Sequence, residues 1–233
     1  MRAMILAAGR GERLRPLTDD RPKPLVPIAG KPLIEYVIER LVAADIVEIV
    51  VNVSYRGAQL MDFLANGHRF GVSIQYSEEG EPPLETGGGI RRALPLLGEQ
   101  PFLVVNADVW SDLSLSGLAL PAGELAHLVL VDNPAHHPNG DYRLKGGRVS
   151  RAAAPRLTYS GIGVYAPAFF DGDWPERVGL APLIDHACER HRVSGQHFTG
   201  FWTDVGTIDR LAAVEAHLAT GSIVSASHTR PSR

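Results

Sequence analysis

The residues best suited to chemistry stand near the amino terminus. They run Leu6-Ala7-Ala8-Gly9-Arg10-Gly11-Glu12-Arg13-Leu14-Arg15-Pro16-Leu17-Thr18, with Arg21-Pro22-Lys23-Pro24-Leu25 close behind. Glycine at positions 9 and 11 permits positive φ and removes side chains, so consecutive backbone N–H groups can turn toward one polyphosphate. Arg13 adds a planar fork of donors and Lys23 a compact point charge. The chemistry this implies is the gripping of nucleotide phosphates. Two other phosphate loops fit less well. A dinucleotide fingerprint asks for glycine where Leu14 stands and for an acid ending the second strand, where Asn52 stands. A Walker loop asks for Gly-Lys-Ser/Thr, which the chain lacks. A bare Gly-x-Gly with solvated arginines would be an ordinary flexible loop, but Lys23 held between two prolines argues for a built site.

Further along, Asp108 follows the apolar run Phe102 to Val105 by way of Asn106-Ala107. That puts it at the carboxyl edge of a sheet, where open α/β folds bind ligands. Alone, such an aspartate is an ordinary turn residue. Asp204, in Trp202-Thr203-Asp204-Val205-Gly206-Thr207, could be a helix cap, although Thr207 is better placed to cap a helix starting at 208. Leu84-Glu85-Thr86-Gly87-Gly88-Gly89 opens a helix, and its glycines permit close backbone approach to a flat ligand.

The elements that position these residues follow from hydrophobic spacing. Residues 2–8 read as a short buried strand, followed by a long Gly/Arg/Pro-rich loop to about Lys31. Leu33, Val37 and Leu41 with Ile34, Ile38 and Val42 make a helical stripe after Pro32. A β-branched strand at 48–53, a helix at 57–65 and a strand at 72–76 come next. Residues 77–89 read as a second glycine-rich loop, 90–97 as helix and 101–106 as strand. This βαβαβ alternation implies a parallel sheet with helices on both faces. Beyond 125 the pattern changes to strands at 126–132, 142–144, 148–152 and 158–165, with helices at 181–192 and 208–220. From 221 to 233 the chain is polar and aperiodic and reads as a flexible tail.

Composition removes several functional classes. At 233 residues with 45% hydrophobic content, the chain can bury a sizeable core. A formal charge of −3 is a poor match for a nucleic-acid backbone. No stretch approaches the roughly 18 uncharged residues of a membrane span, and Gly9 to Arg13 break the apolar start too early for an export signal. The one cysteine, Cys188, excludes an intramolecular disulfide and suits the cytoplasm. Cys188 lies inside an expected helix and no Gly-x-Ser-x-Gly elbow occurs, so a covalent nucleophile is not expected. His186 and His191 are five apart and do not share a helix face, so zinc is not expected either.

Taken together, Leu6 to Thr18, Pro22-Lys23-Pro24-Leu25-Val26-Pro27 and Lys31-Pro32-Leu33-Ile34 resemble the signature of the sugar-1-phosphate nucleotidyltransferases. The resemblance extends over most of the chain, to about residue 220. It implies a Rossmann-like, mostly parallel central sheet of the GT-A-like type within one domain, 1–220. Residues 1–125 would be its nucleotide-binding half and 126–220 a smaller β-rich, sugar-binding half. It implies a Mg²⁺-dependent enzyme that joins the nucleotide of an NTP to a sugar 1-phosphate. Arg13, Lys23 and Asp108 would be catalytic, with Asp108 and Asp204 as the metal ligands. Ala7, Ala8, Gly9, Gly11, Glu12, Arg13, Lys23, Gly88 and Asn106 would bind the nucleotide. Asn139, Gly140, Asp141, Ser160 and Gly161, in Pro138-Asn139-Gly140-Asp141-Tyr142 and Ser160-Gly161-Ile162-Gly163, resemble two sugar-facing turns that would otherwise be a β-turn and a bulge.

There are departures. Glu12 stands where many members carry threonine or serine. A Glu-Lys-Pro whose lysine meets the acceptor phosphate is replaced by Arg151-Ala152-Ala153-Ala154-Pro155, leaving Arg151, Arg156 or Arg15 to take its place. The compact length, this missing lysine and the glycine triplet are most similar to the UTP-using members of bacterial cell-wall recycling, with mannose-1-phosphate guanylyltransferases second. A non-catalytic nucleotide sensor would be expected to have lost one of the four charged groups. A glycosyltransferase using a finished nucleotide sugar would typically carry Asp-x-Asp where Asn106-Ala107-Asp108 stands.

Overall fold

Aliphatic and β-branched residues fill the early strands, and adjacent residues of each strand serve different cores. The computed structural model describes residues 1–220, so the tail expected at 221–233 lies outside the described residues. The elements run β1 (Ala3–Leu6), β2 (Pro27–Ile28), β3 (Lys31–Pro32), α1 (Leu33–Ala43), β4 (Glu48–Val53), α2 (Gly57–Leu64), β5 (Ser73–Glu78), α3 (Glu85–Leu97), β6 (Phe102–Asn106) and β7 (Val109–Ser111). Then follow β8 (Ala126–Val131), β9 (Arg143–Lys145), β10 (Arg148–Ser150), β11 (Thr158–Tyr165), α4 (Leu180–Glu189), β12 (Val193–Phe198), β13 (Trp202–Asp204) and α5 (Ile208–Ala219).

A nine-stranded sheet in the order β5-β4-β1-β6-β11-β8-β12-β10-β9 runs through both halves of the chain. Strands β5, β4, β1 and β6 are parallel neighbours, and within the sheet β10 and β11 run against the rest. The mostly parallel α/β sheet expected from the alternation is present. The second half extends the same sheet.

Helices cover both faces because the pleat sends alternate side chains to opposite sides. Ala3, Ile5, Ile49, Val51, Leu103 and Val105 pack with Ile34, Val37, Ile38 and Leu41 of α1 and Leu60 and Leu64 of α2. Met4, Val50, Phe102 and Val104 pack with Ile90, Ala93 and Leu97 of α3 and with Leu183, Ile184 and Ala187 of α4. Full burial of each large aliphatic side chain contributes about 1.5–3 kcal/mol, and a one-residue slip would exchange the two faces. Helix α5 closes the molecule on Val26, Ile28, Leu33 and Val205 through Leu211 and Val214.

Strands β2, β3, β7, β12 and β13 were not expected from the sequence, and two helices have other bounds than expected. Helix α3 begins at Glu85, so residues 85–89, read as loop, are helical. Glycine is a poor helix former, but here close packing outweighs propensity. A Cβ on Gly87 would lie 2.7 Å from the Gly179 carbonyl oxygen, and one on Gly88 would lie 2.3 Å from that of Glu176. The helix expected at 181–192 ends at Glu189, and the chain turns into β12, which pairs in parallel with β8.

Candidate active site

Strand register builds the floor of the site. Leu6 of β1 stands level with Asn52 of β4 on one side and with Asn106 of β6 on the other. The chain leaves the sheet at Ala7, between two polar strand ends, and enters the glycine loop. A cleft of about 480 Å³ opens there, lined by Leu6 to Arg13, Lys23, Pro24, Asn52, Glu79, Pro83, Glu85, Thr86, Asn106, Ala107, Asp108 and Gly206.

The loop presents donors to this cleft. Leu14 N–H bonds the Gly11 carbonyl at 2.9 Å and Arg15 N–H that of Glu12 at 3.3 Å, closing a 3₁₀ turn. Among the described residues, the N–H groups of Gly9, Arg10, Gly11, Glu12 and Arg13 meet no protein acceptor. Consecutive free amides of this kind are an anion nest. Gly11 is required by its left-handed φ of 66° and by close approach, since a Cβ there would lie 2.9 Å from Lys23 Cβ. The Thr18 hydroxyl, donating to the Gly11 carbonyl at 2.9 Å, ties the far end of the loop.

Beneath the loop lies a buried polar chain. Ala7 N–H donates to Asn52 Oδ1 at 2.6 Å, Asn52 Nδ2 donates to Glu79 Oε1 at 2.6 Å, and Leu84 N–H donates to Glu79 Oε2 at 2.8 Å. Asn52 is 3% and Glu79 7% exposed. The network links β1, β4 and the start of α3, and fixes the loop against the helix. Sequence reasoning missed both residues as parts of the site. The available signal was a polar residue, Asn52, following the apolar run Ile49 to Val51 at the ligand-binding edge of the sheet.

Lys23 reaches the cleft from a short 3₁₀ turn, Lys23–Leu25, and its ammonium pairs with the Asp108 carboxylate. The side chains are 12% and 27% exposed. Strands β7 and β13 form a separate antiparallel ladder in which Asp204 stands opposite Val109, and Val205 N–H donates to the Asp108 carbonyl at 2.7 Å. The ladder therefore brings Asp108 and Asp204, far apart in sequence, to neighbouring positions. Asp108 lines the cleft, while Asp204, expected as the second metal ligand, is not among its lining residues. Asp204 Oδ1 accepts from Arg210 Nη1 at 2.5 Å and lies 3.3 Å from His136 Nε2. Thr207 caps α5, accepting from Arg210 N–H at 3.4 Å.

The structure distributes the other expected site residues unevenly. Ala7, Ala8, Gly9, Gly11, Glu12, Arg13, Lys23 and Asn106 line the cleft. Gly88 does not: its N–H donates to the Val178 carbonyl at 2.9 Å and a Cβ on it would meet the Glu176 carbonyl, whereas a Cβ on the neighbouring Gly89 would meet the Glu79 and Asn52 side chains of the cleft. Glu85 and Thr86 are the α3 residues at the cleft. Gly161, at a φ of 78° in the bulge of β11, abuts the site, since a Cβ there would lie 2.6 Å from Asn106 Nδ2. Ser160 supports that bulge, its hydroxyl accepting from Ile162 N–H at 3.2 Å. Gly140 is buried, Asn139 exposed, and neither lines the cleft. Asp141 is occupied in fastening its turn, accepting from Tyr159 N–H at 2.8 Å and meeting His137 Nε2 at 2.9 Å.

The cations expected at the acceptor phosphate point elsewhere. Arg15 pairs with Asp19, Arg151 pairs with Asp185, and Arg156 donates to the Ala152 carbonyl. Burial pushes the Cys188 thiol up to about 12, which keeps it protonated at neutral pH.

Free amides, Arg13 and Lys23 at the carboxyl edge of a mostly parallel sheet, with the Asp108 carboxylate at their side, define an α/β protein that handles nucleotide phosphates. The chain belongs to the nucleotidyl transferase family, whose model, described as Nucleotidyl transferase, matches residues 2–142. It is 49% identical, over 93% of this chain and 97% of the relative, to an N-acetylmuramate alpha-1-phosphate uridylyltransferase of Neisseria meningitidis serogroup B. A protein of the same name from Caulobacter vibrioides is 38% identical over 93% of this chain and 96% of its own. A mannose-1-phosphate guanyltransferase beta-B of Xenopus laevis is 30% identical over 88% of this chain and 61% of its own. The fold is that of HddC from Yersinia pseudotuberculosis complexed with GMP-PN, with a TM-score of 0.74, 20% identity, and coverage of 93% of this chain and 98% of that one. Among the described residues no helix is long and apolar enough to cross a membrane.

Proposed function

We propose that this protein transfers UMP from UTP to N-acetylmuramate α-1-phosphate, releasing pyrophosphate, as a cytoplasmic step in the recycling of cell-wall sugars. The observation that carries the reading is the row of amides from Gly9 to Arg13, without protein acceptors among the described residues, in a segment that lines one cleft with Lys23 and Asp108. The identity with the Neisseria and Caulobacter relatives over nearly their full lengths supports the choice of UTP and of the muramate acceptor.

A phosphate monoester has its second pKa near about 6, so the acceptor is already mostly dianionic at neutral pH and needs no general base. The obstacle is repulsion between two anions, which positioning and charge neutralisation must overcome. An acceptor phosphate oxygen attacks the α-phosphorus in line, forming the new P–O bond as the bond to the β-phosphate oxygen breaks. The loop amides hold the triphosphate, and Arg13 and Lys23 stabilise the charge that gathers on the departing pyrophosphate.

The donor set fits Mg²⁺. Asp108, one residue before β7, and Asp204, opposite Val109 in β13, would offer hard oxygens to the ion. Among the described residues there is no group of three His, Cys, Asp or Glu able to hold a metal, so substrate phosphates would complete the shell, as Mg²⁺ commonly requires. When bound there, the ion would supply positive charge to the phosphates.

Pyrophosphate release over a matrix of UTP, dTTP, CTP and GTP against the 1-phosphates of N-acetylmuramate, glucose, N-acetylglucosamine and mannose tests the reading. UTP with N-acetylmuramate 1-phosphate should give the highest kcat/KM. Preference for GTP with mannose 1-phosphate would replace it.

A further inference from the structure

We infer that Arg210 binds the acceptor's phosphate, in the place of the lysine that Arg151-Ala152-Ala153-Ala154-Pro155 lacks. The inference rests on the transferase reading above and deepens it. Arg210 was not among the residues singled out from the sequence.

Its setting is that of an anion ligand. The side chain is 15% exposed and held rigidly, its Nε donating to Thr207 Oγ1 at 3.3 Å and its Nη1 to Asp204 Oδ1 at 2.5 Å. His136, from the loop of the second half, meets the same Nη1 at 2.8 Å. Among the described residues Nη2 has no acceptor. That nitrogen points at Gly206, where a Cβ would lie 2.4 Å from it and 3.2 Å from Arg13 Nη2. Two guanidinium groups therefore meet at a glycine on the cleft wall. Arg10, Arg15 and Arg21 each have an acidic partner, but among the described residues Arg13 has none. Like charges brought this close, with donors left over, are stabilised by an oxyanion between them. The spacing lets the oxygens of one phosphate accept from both forks at ordinary lengths of about 2.9 Å.

The acceptor is the better match than the triphosphate. The triphosphate has the loop amides and Lys23 on the wall built by the first half. Arg210 comes from α5 in the second half, between Asp204 and His136. Arg151 and Arg156 are turned away, whereas Arg210 brings a nitrogen without a protein acceptor among the described residues to Gly206, a residue of the cleft wall. Arg13 would then touch both substrates and Arg210 only one.

Arg210→Gln and Arg210→Lys, assayed with UTP and N-acetylmuramate 1-phosphate each varied, test this. In Arg210→Gln the KM for the sugar phosphate should rise about tenfold or more, as loss of a hydrogen bond to a charged group predicts. The dissociation constant of UTP, measured by calorimetry without acceptor, should stay within about twofold, since its contacts are made by the amide loop and Lys23 of the first half. Arg210→Lys keeps the charge beside Asp204 without the fork, so it protects the fold and should fall between. Added guanidine should partly restore the sugar-phosphate KM of Arg210→Gln, which a merely structural role would not allow. A weakening confined to UTP or pyrophosphate, or equal weakening of both substrates in Arg210→Lys, would overturn the assignment. Wild-type protein that turned over no nucleotide and sugar pair would instead remove the transferase reading.

Discussion

Replacing Asn52 by alanine tests whether the buried chain from Ala7 to Glu79 holds the nucleotide loop in place. The substitution removes the acceptor of Ala7 N–H and the donor to Glu79 Oε1, both made at 2.6 Å. Leaving a buried polar group unpaired costs about 1–3 kcal/mol, and two groups lose partners here. Glu79 keeps the Leu84 N–H, and because Asn52 lines the cleft, water can replace part of the lost amide. The net cost is about 2–3 kcal/mol. In a domain of this size each kcal/mol lowers Tm by about 2–4 °C, so a fall of about 4–12 °C is expected. The loop should loosen with it, raising the KM for UTP more than that for the sugar phosphate. Asn52→Asp sharpens the test by setting a second carboxylate against Glu79. Two acids this close retain a proton that the unfolded chain releases above about pH 4. Their shared pKa is thus raised on folding, and stability must fall as pH rises from 5 to 8. Calorimetry and steady-state kinetics read both effects. An Asn52→Ala protein melting within about 1 °C of wild type with an unaltered UTP KM would refute the reasoning.

Other substitutions probe the remaining parts. Lys23→Ala should lower kcat about 100-fold while weakening UTP binding far less, because the ammonium acts on charge that develops in the transition state; an unchanged kcat would remove Lys23 from the mechanism. Gly11→Ala, at a φ of 66° and against Lys23 Cβ, should cost about 1–2 kcal/mol in chemical denaturation and impair turnover through the displaced lysine. The Cys188 thiol, held near 12 by burial, should be almost silent to a disulfide reagent at pH 8 in the native protein and react at once on unfolding. Fast native reaction would contradict that burial.

Most of the fold was legible because the strands carry long aliphatic runs. Glu48–Val53 and Thr158–Tyr165 begin and end where hydrophobic alternation and flanking polar residues place them. The start of α3 was not legible, since three consecutive glycines read locally as loop and become helix where the 176–179 backbone packs against Gly87 and Gly88 and the Glu79 and Asn52 side chains against Gly89. The short β7/β13 ladder was equally hidden, being made by strands of three residues paired across nearly the whole chain. In the site, residues with local signatures were readable: the glycines of the first loop, Lys23 between prolines, and Asp108 after its strand. Those that work through distant partners were not. Asn52 and Glu79 gain meaning only from the register of β1 and β4 with the turn before α3, and Arg210 only from the glycine that separates it from Arg13.

The most direct test of the account follows oxygen. Wild-type protein is incubated with UTP and N-acetylmuramate 1-phosphate carrying ¹⁸O at its phosphate oxygens, and the products are weighed by mass spectrometry. Attack by the acceptor phosphate on the α-phosphorus predicts a UDP-sugar that retains all of the label and pyrophosphate that carries none. Labelled pyrophosphate, or UTP consumed without formation of the UDP-sugar, would contradict it.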